Sequence, residues 1–587
     1  MAKLLHFLSP YKKRVALMLL LLFGQTLGTL YIPTLTASIV NNGIVAGDLG
    51  YVWKTGGFML LVALLTATVS TLGTYMSTYI STAMGCDIRK SLFRKVQKFS
   101  VNDFNQFGAA SLITRSTSDV TQLQMAFSII VEMLLPAPFM TVAGLILAFS
   151  KNASLSFALL GFMAVILLLT VLIGKGVIPI FEKMQTSLDT INRAVRESII
   201  GVRVIRAFHR TKDDKIRMDK SFQDYAQIAI KANKIFAALL PLVMLIMNIC
   251  TVCFVWFGGK QVTAGNMEIG DIMAIIEYSM LTLMYLVMGL TAFIFIPRAQ
   301  TCANRISAVL TTTPEFAHSV VKSASGKNRK SPAHTKIEFK DVSFRYADAE
   351  EAVLHDIDFA VNKGETTAII GSTGSGKSTI ASLIMRFFDI ENGSILVDGK
   401  DVRGYSQEEL REKVGYVPQK AFLFSGTIAD NLRHGKKNAT EEEMYHALRI
   451  AQIDDFVEKQ GLDYRVSQGG NNFSGGQKQR LSIARAIIKK PDIYIFDDSF
   501  SALDFKTDAK LRAALKKEVG NSAVIIVAQR ISTILDADQI IVLDEGRIVG
   551  KGKHNELMKN CTVYQQIAHS QLSEELSLIH ISEPTRP

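Results

Sequence analysis

Cysteine is scarce. The 587 residues hold five, Cys86, Cys250, Cys253, Cys302 and Cys561, an odd and scattered set that gives no disulfide framework and excludes a small, stapled secreted fold. Cys250 and Cys253 have CxxC spacing, but they lie in an uncharged apolar run with no second ligand pair, so they read as buried small residues rather than a metal or redox site. Charge is what the first half lacks most. Runs at 15–40, 56–85, 152–174 and 235–259 carry no Asp, Glu, Lys or Arg, and those at 126–150 and 272–297 carry one carboxylate each, Glu132 and Glu277. Each exceeds the ~20 residues a helix needs to cross the hydrocarbon layer. That excludes an ordinary soluble protein over this half, while the remainder has the mixed composition of an α/β domain.

The first run is too long for a signal-peptide core and is followed by a second span, so it is expected to be retained. Lys and Arg number four in residues 1–14, six in 86–125 and thirteen in 175–234, against one in each of the three intervening loops. This asymmetry places the N-terminus, both long loops and the C-terminal half in the cytoplasm. It also accounts for the net charge of +12 without nucleic acid as a partner. The two long loops are polar and helix-patterned, so they read as extensions of the membrane helices with a docking role.

An ionisable group within a span commonly faces an interior or watery path. Met273, Glu277, Met280, Met284 and Met288 recur at helical intervals and so share one face of the sixth span. Methionine adapts to varied ligands and a carboxylate favours cations, which suits a substrate path. Packing against a neighbouring helix is the alternative use of the same stripe.

After a Ser-, Lys- and Gly-rich linker, β-patterned sequence begins near Ile337. In TTAIIGSTGSGKSTIASLIMRFF an apolar strand leads through Gly371, Ser372, Thr373, Gly374, Ser375, Gly376, Lys377, Ser378 and Thr379 into an amphipathic helix. This is the context that makes a P-loop credible: backbone N–H groups surround phosphates, Lys377 neutralises charge and Ser378 ligates Mg2+. A second apolar strand, IYIFDD, ends in Asp497 and Asp498, and Asp497 is placed to hold the metal. In NFSGGQKQRLSIARA, Ser474, Gly475 and Gly476 precede a helix and offer a second set of donors for an anionic phosphate.

Together these residues resemble the ATP-binding cassette family over nearly the whole chain. GSTGSGKS is similar to Walker A, IYIFD to Walker B, FSGGQ (through Gln477) to the signature, and SALD to the D-loop. Gln419 in YVPQ matches the Q-loop glutamine, which joins Ser378 and Asp497 around Mg2+, and Tyr346 matches the aromatic that stacks on adenine. SLITRSTSDV and NRAVRESIIGVRVIRAF resemble coupling regions of the exporter branch. The resemblance implies a multidomain fold: an all-α six-helix transmembrane domain at 1–315, a linker at 316–335, and an α/β P-loop cassette at 336–570. The tail at 571–587 ends in SLIHISEPTRP, which lacks periodicity and reads as disordered or foreign to the natural gene.

The family's general base and switch histidine are replaced here by Asp498 and Gln529. Asp is one methylene shorter than Glu, and Gln cannot become a cation near neutral pH. Gln468 stands where exporters commonly carry glutamate, which removes a charge. The resemblance therefore implies ATP and Mg2+ binding with weak hydrolysis at this chain's own Walker site. The intact signature would complete a competent site on a second half-transporter that supplies the glutamate and histidine. The expected role is ATP-driven export of hydrophobic or cationic small molecules across the cytoplasmic membrane. A dedicated lipid or peptide exporter, or a regulatory ATP-binding subunit without uphill transport, are the alternatives.

Overall fold

The structure, a computed structural model, describes residues 2–293, 295–314, 334–347 and 349–571. The expected linker falls almost wholly outside these residues, as does the terminal SLIHISEPTRP. The chain forms two compact units, Met1–Gln97 with Ala109–Thr312, and Lys98–Gly108 with Thr313–Pro587.

The first unit is all helix. Among the described residues six helical stretches are long and apolar enough to cross a membrane: His6–Val45, Leu49–Val96, Ala109–Lys151, Ala153–Ile173, Thr211–Thr263 and Ile269–Thr311. Each contains one of the charge-poor runs, to within a residue at either end of the fourth. Side-chain caps fix two starts, with Asp48 accepting from the N–H of Tyr51 at 3.0 Å and Asn152 from that of Leu155 at 3.1 Å. Helix Ala153–Ile200 has 48 residues, or ~72 Å at 1.5 Å per residue, more than twice the ~30 Å hydrocarbon layer. The charged loops are thus helices continued beyond the apolar run. At the far end of this helix the chain turns through Gly201, the helix Val202–Ala207 and His209 (φ +56°) into Thr211–Thr263. Arg217 ties the two long helices by bonding Glu197 at 3.2 Å and Asp214 at 2.9 Å, while Ser198 donates to Asp214 at 3.0 Å.

Residues 201–210 between these helices are largely exposed, Arg203, Arg206 and Arg210 among them, and apolar side chains stand bare beside those charges. Ile199, Ile200, Val204 and Phe208 are 68, 78, 60 and 74 % exposed. The corresponding turn of the first long loop, helix Val101–Phe107, is capped by Ser100 and Asp103 in a reciprocal pair and belongs to the second unit.

The second unit is α/β. Strands β1 (Thr335–Phe344), β2 (Leu354–Asn362), β4 (Asn392–Val397) and β5 (Lys400–Asp401) form an antiparallel sheet in the order β2-β1-β4-β5. The larger sheet joins β3 (Thr366–Gly371), β6 (Val414–Val417), β9 (Ile493–Asp497), β10 (Ala523–Val527), β11 (Gln539–Asp544) and β12 (Arg547–Gly552) in the order β12-β11-β3-β10-β9-β6. All its pairs are parallel except β11 with β12. A separate two-stranded antiparallel pair joins β7 (Gly426–Thr427) to β8 (Arg465–Val466).

Both faces of the parallel sheet are covered, which explains strands apolar at every position. Successive residues alternate between two cores: Ile369, Ile495 and Ile525 pack with the antiparallel sheet and the helix Lys377–Ile384, whereas Ala368, Ile370, Phe496 and Ile526 pack with the helix Gly475–Ile487. This arrangement lines up the carboxyl ends of β3, β10, β9 and β6 along one edge, the usual ligand edge of a parallel sheet.

Candidate functional site

Each of those four strand ends delivers one part of the site. β3 runs into the glycine-rich loop, β9 ends in Asp497 and Asp498, β10 leads to Gln529, and β6 leads to Gln419. The loop's glycines answer specific constraints. A side chain at Gly371 would meet the carbonyl oxygen of Leu543 at 2.1 Å, and Gly376, at φ +94°, would meet Leu354 at 2.5 Å. Gly374, at φ +87°, faces open space, so only backbone lines the loop there.

Lys377 opens the helix Lys377–Ile384 and is 8 % exposed. Its Nζ donates to the carbonyls of Gly371 and Ser372 at 2.9 and 2.6 Å, which holds the ammonium over its own loop. Burial pushes its pKa down from that of a free lysine, and the nearby Asp498 and Asp497 carboxylates oppose the shift. Ser378 Oγ donates to Asp497 Oδ1 at 2.8 Å. Tyr416 OH donates to the other oxygen, Oδ2, at 3.4 Å. Burial pushes the Asp497 carboxyl above its ordinary range, hydrogen bonds from Ser378 and Tyr416 pull it back, and Asp498 adds to the rise.

A buried carboxylate beside a hydroxyl is a hard-oxygen pair that fits Mg2+. The desolvation that raises Asp497 is also what a divalent cation would offset. Ser378 and Asp497 would hold the ion, which would neutralise phosphate charge. Gln419 Nε2 donates to Asp498 Oδ2 at 3.3 Å.

Asp498 accepts a second amide on the same oxygen, from Gln529 Nε2 at 3.0 Å. Its backbone is left-handed (φ +46°), a conformation Asp tolerates better than most residues, and its N–H donates to the carbonyl of Val527 at 2.9 Å. Ser501, in the SALD turn, donates to the Asp498 carbonyl at 2.9 Å. The two residues singled out as departures thus meet each other and the YVPQ glutamine, while Oδ1 accepts neither amide.

Tyr346 is half-buried, with its ring edge-on to Phe344 and Phe388 and its hydroxyl 3.0 Å from Thr379 Oγ1. This ties the aromatic to the helix that follows the loop. Ser474 caps the helix Gly475–Ile487: its Oγ accepts from the N–H of Gln477 at 3.3 Å, and Gln477 Oε1 accepts from the N–H of Ser474 at 2.9 Å. Ser474 and Gly475 are exposed. Among the described residues no hydrogen bond or ion pair joins 474–477 to the 371–378 loop. Gly476 does approach the SALD turn, where an added Cβ would lie 3.2 Å from the carbonyl oxygen of Ala502. Gln468 stands exposed in the turn Gln468–Gly470.

In the membrane unit, Met273, Met280 and Met284 lie exposed on helix Ile269–Ala292 at 47, 40 and 58 %, with Glu277 and Met288 half-buried on the same side. The opposite face is buried through Ala274, Tyr278, Thr282 and Leu283. Glu132 is exposed within the π-helical segment Ile130–Leu134. Among the described residues no group of His, Cys, Asp or Glu side chains is arranged to hold a metal ion, and Cys250 is buried.

Sequence reasoning missed Tyr416. It stands on β6 opposite Ile495 of β9, a register that brings it to Asp497. Its place three residues before Gln419 was the available signal.

Residues 15–286 match the family model described as ABC transporter transmembrane region, and residues 354–501 match that described as ABC transporter. An uncharacterized ABC transporter ATP-binding protein of Mycobacterium tuberculosis is 40% identical over 577 residues, covering 97% of this chain and 98% of its own. The uncharacterized ABC transporter ATP-binding protein YfiB of Bacillus subtilis is 36% identical over 577 residues, covering 98% and 99%. The fold is similar to that of a bacterial Atm1-family ABC exporter with ATP bound, with a TM-score of 0.77 at 24% identity, covering 98% of this chain and 99% of that one.

Proposed function

The chain belongs to the ABC transporter family, with a multi-pass transmembrane region and an ATP-binding cassette in one polypeptide, and from that premise we propose that it is the degenerate-site half of a heterodimeric exporter. The observation that carries this reading is the Gln529–Asp498–Gln419 cluster, in which one carboxylate oxygen receives two side-chain amides. Phosphate-binding parts, Lys377, Ser378 and Asp497, are complete around it. A site so built grips MgATP through the loop and Tyr346. It hydrolyses slowly, because its carboxylate is one methylene short and the switch position has no ionisable ring to contact the γ-phosphate.

Two exposed features support a second, unlike chain. The Ser474–Gln477 helix start is exposed at Ser474 and Gly475 and, among the described residues, makes no hydrogen bond to this chain's own phosphate loop, as expected of a signature that completes a neighbour's site. The bare apolar side chains Phe208 and Val204 suit docking on another cassette. The neighbour then supplies the glutamate and histidine that this chain lacks.

Export works through differential affinity. ATP binds the closed cassette pair more tightly than the open one, and closure is passed along the long helices to the spans. A slowly emptied site at Lys377 keeps the pair partly joined while the neighbour turns over. The Met273–Met284 face with Glu277 supports amphipathic or cationic cargo. The charge asymmetry of the loops supports a cytoplasmic cassette on the inner membrane.

The test is turnover of the purified pair after two separate changes. Removing the neighbour's glutamate is expected to abolish ATPase activity. Asp498→Glu with Gln529→His is expected to raise it. Unchanged activity after loss of the neighbour's glutamate would overturn the division of labour.

A further inference from the structure

The segment that carries Gln529 is held from behind by Gln571. β10 ends at Val527, and the last bond of its ladder runs from the N–H of Ala528 to the carbonyl of Ile369 at 3.0 Å. Beyond that point the chain passes through Arg530, extended at φ −105° and ψ 131°. In an extended chain the carbonyl before a residue and the N–H after it face the same side. Gln571 takes both: its Nε2 donates to the carbonyl of Gln529 at 2.7 Å, and its Oε1 accepts from the N–H of Ile531 at 2.8 Å. A primary amide presents a donor and an acceptor side by side, so this one side chain replaces a missing neighbouring strand.

The mount for that amide is a packed helix. The helix over 562–571 buries Tyr564 and Ala568 completely in the core that also holds Ile531 and Ile534. Tyr564 OH lies 2.8 Å from His554 Nδ1. A helix packed into the core therefore grips the main chain of a residue whose own side chain reaches the Asp498 carboxylate, 3.0 Å away.

We propose that Gln571 is a positioning residue that sets the switch segment, so that the C-terminal helix controls whether the Gln529 side chain engages Asp498. Gln571 bonds only main-chain atoms of that segment, and the loop, Tyr346 and Asp497 keep their own partners. Its loss should alter the hydrolytic step and spare nucleotide affinity.

The experiment uses the full-length chain in lipid nanodiscs, wild type against Gln571→Ala and Gln571→Glu. Hydrogen exchange is read by mass spectrometry on peptides covering residues 528–534. Single-turnover cleavage of γ-labelled ATP is measured with the chain in excess. In Gln571→Ala, exchange at the Ile531 amide is expected to rise by about tenfold. The maximal cleavage rate is expected to fall by roughly tenfold, with half-saturating ATP within about twofold and the unfolding midpoint unchanged. Gln571→Glu keeps the acceptor for Ile531 and loses the donor to Gln529, so it should restore amide protection without restoring the rate. Wild-type exchange and rate in Gln571→Ala would overturn the proposal, as would a rate loss that tracks a lowered unfolding midpoint. The readout is a ratio to wild type, so it stands whether the wild-type site proves slow or fast.

Discussion

Gln529 Nε2 donates to Asp498 Oδ2 at 3.0 Å, which joins the two residues on which the proposed weak hydrolysis rests. A glutamine amide opposite a carboxylate forms a hydrogen bond from a neutral donor. Returning both residues together should therefore do more than either change alone, because each single change leaves a mismatched pair. Single-turnover cleavage is expected to rise by one to two orders of magnitude in Asp498→Glu/Gln529→His, and by more than the product of the two single-variant effects in a double-mutant cycle. Purely multiplicative single effects would mean that the contact does not couple the two positions.

Asp497 gives a pH signature. Burial lifts its carboxyl above that of a free aspartate, so it keeps its proton to higher pH. Without the metal, protonation therefore favours the fold at low pH, and this contribution fades as pH rises through the raised value. Mg2+ must displace that proton, so Mg2+-dependent ATP binding should weaken on acidification sooner than an ordinary aspartate would require. Tyr416→Phe removes a hydrogen bond that holds the value down, and should move the onset to still higher pH. Fluorescent-ATP titrations across a pH series check the direction, with Asp497→Asn expected to bind Mg2+ weakly at every pH.

Glu277 lies on the same face as exposed methionines. Glu277→Gln keeps shape and removes charge, so uptake of a lipophilic cation dye into inside-out vesicles should fall severalfold while that of a neutral amphipathic dye changes little. Equal losses for both would assign the residue to packing.

Phe208 and Val204 are exposed. Phe208→Ala or Val204→Ser should leave the unfolding free energy within about 0.5 kcal/mol of the original, yet sharply reduce transport per ATP consumed. A matching loss of stability would place these side chains in the fold of the tip instead of a docking contact.

Much of this was legible because its signals are local. Spans follow from uncharged runs, and the P-loop from glycines at fixed spacing between a strand and a helix. The helical continuation of the charged loops followed from their periodicity. What escaped depends on strand order. β6 and β9 are neighbours, which brings Tyr416 to Asp497 across 81 positions and Gln419 to Asp498 across 79. A linear pattern contains no record of that adjacency, so neither contact can be read from it. Gln571 lay hidden for the same reason, 42 positions from the carbonyl it grips.

Retention of the terminal phosphate at Lys377 tests the central claim most directly. The assembled transporter is run through many turnovers on photoreactive ATP labelled at either the α- or the γ-phosphate, then cross-linked, and the label on this chain is counted. If the site holds ATP and seldom cleaves it, the two labels are recovered here in nearly equal amounts while the neighbour keeps only α-label. Loss of γ-label from this chain in step with the neighbour would contradict the account.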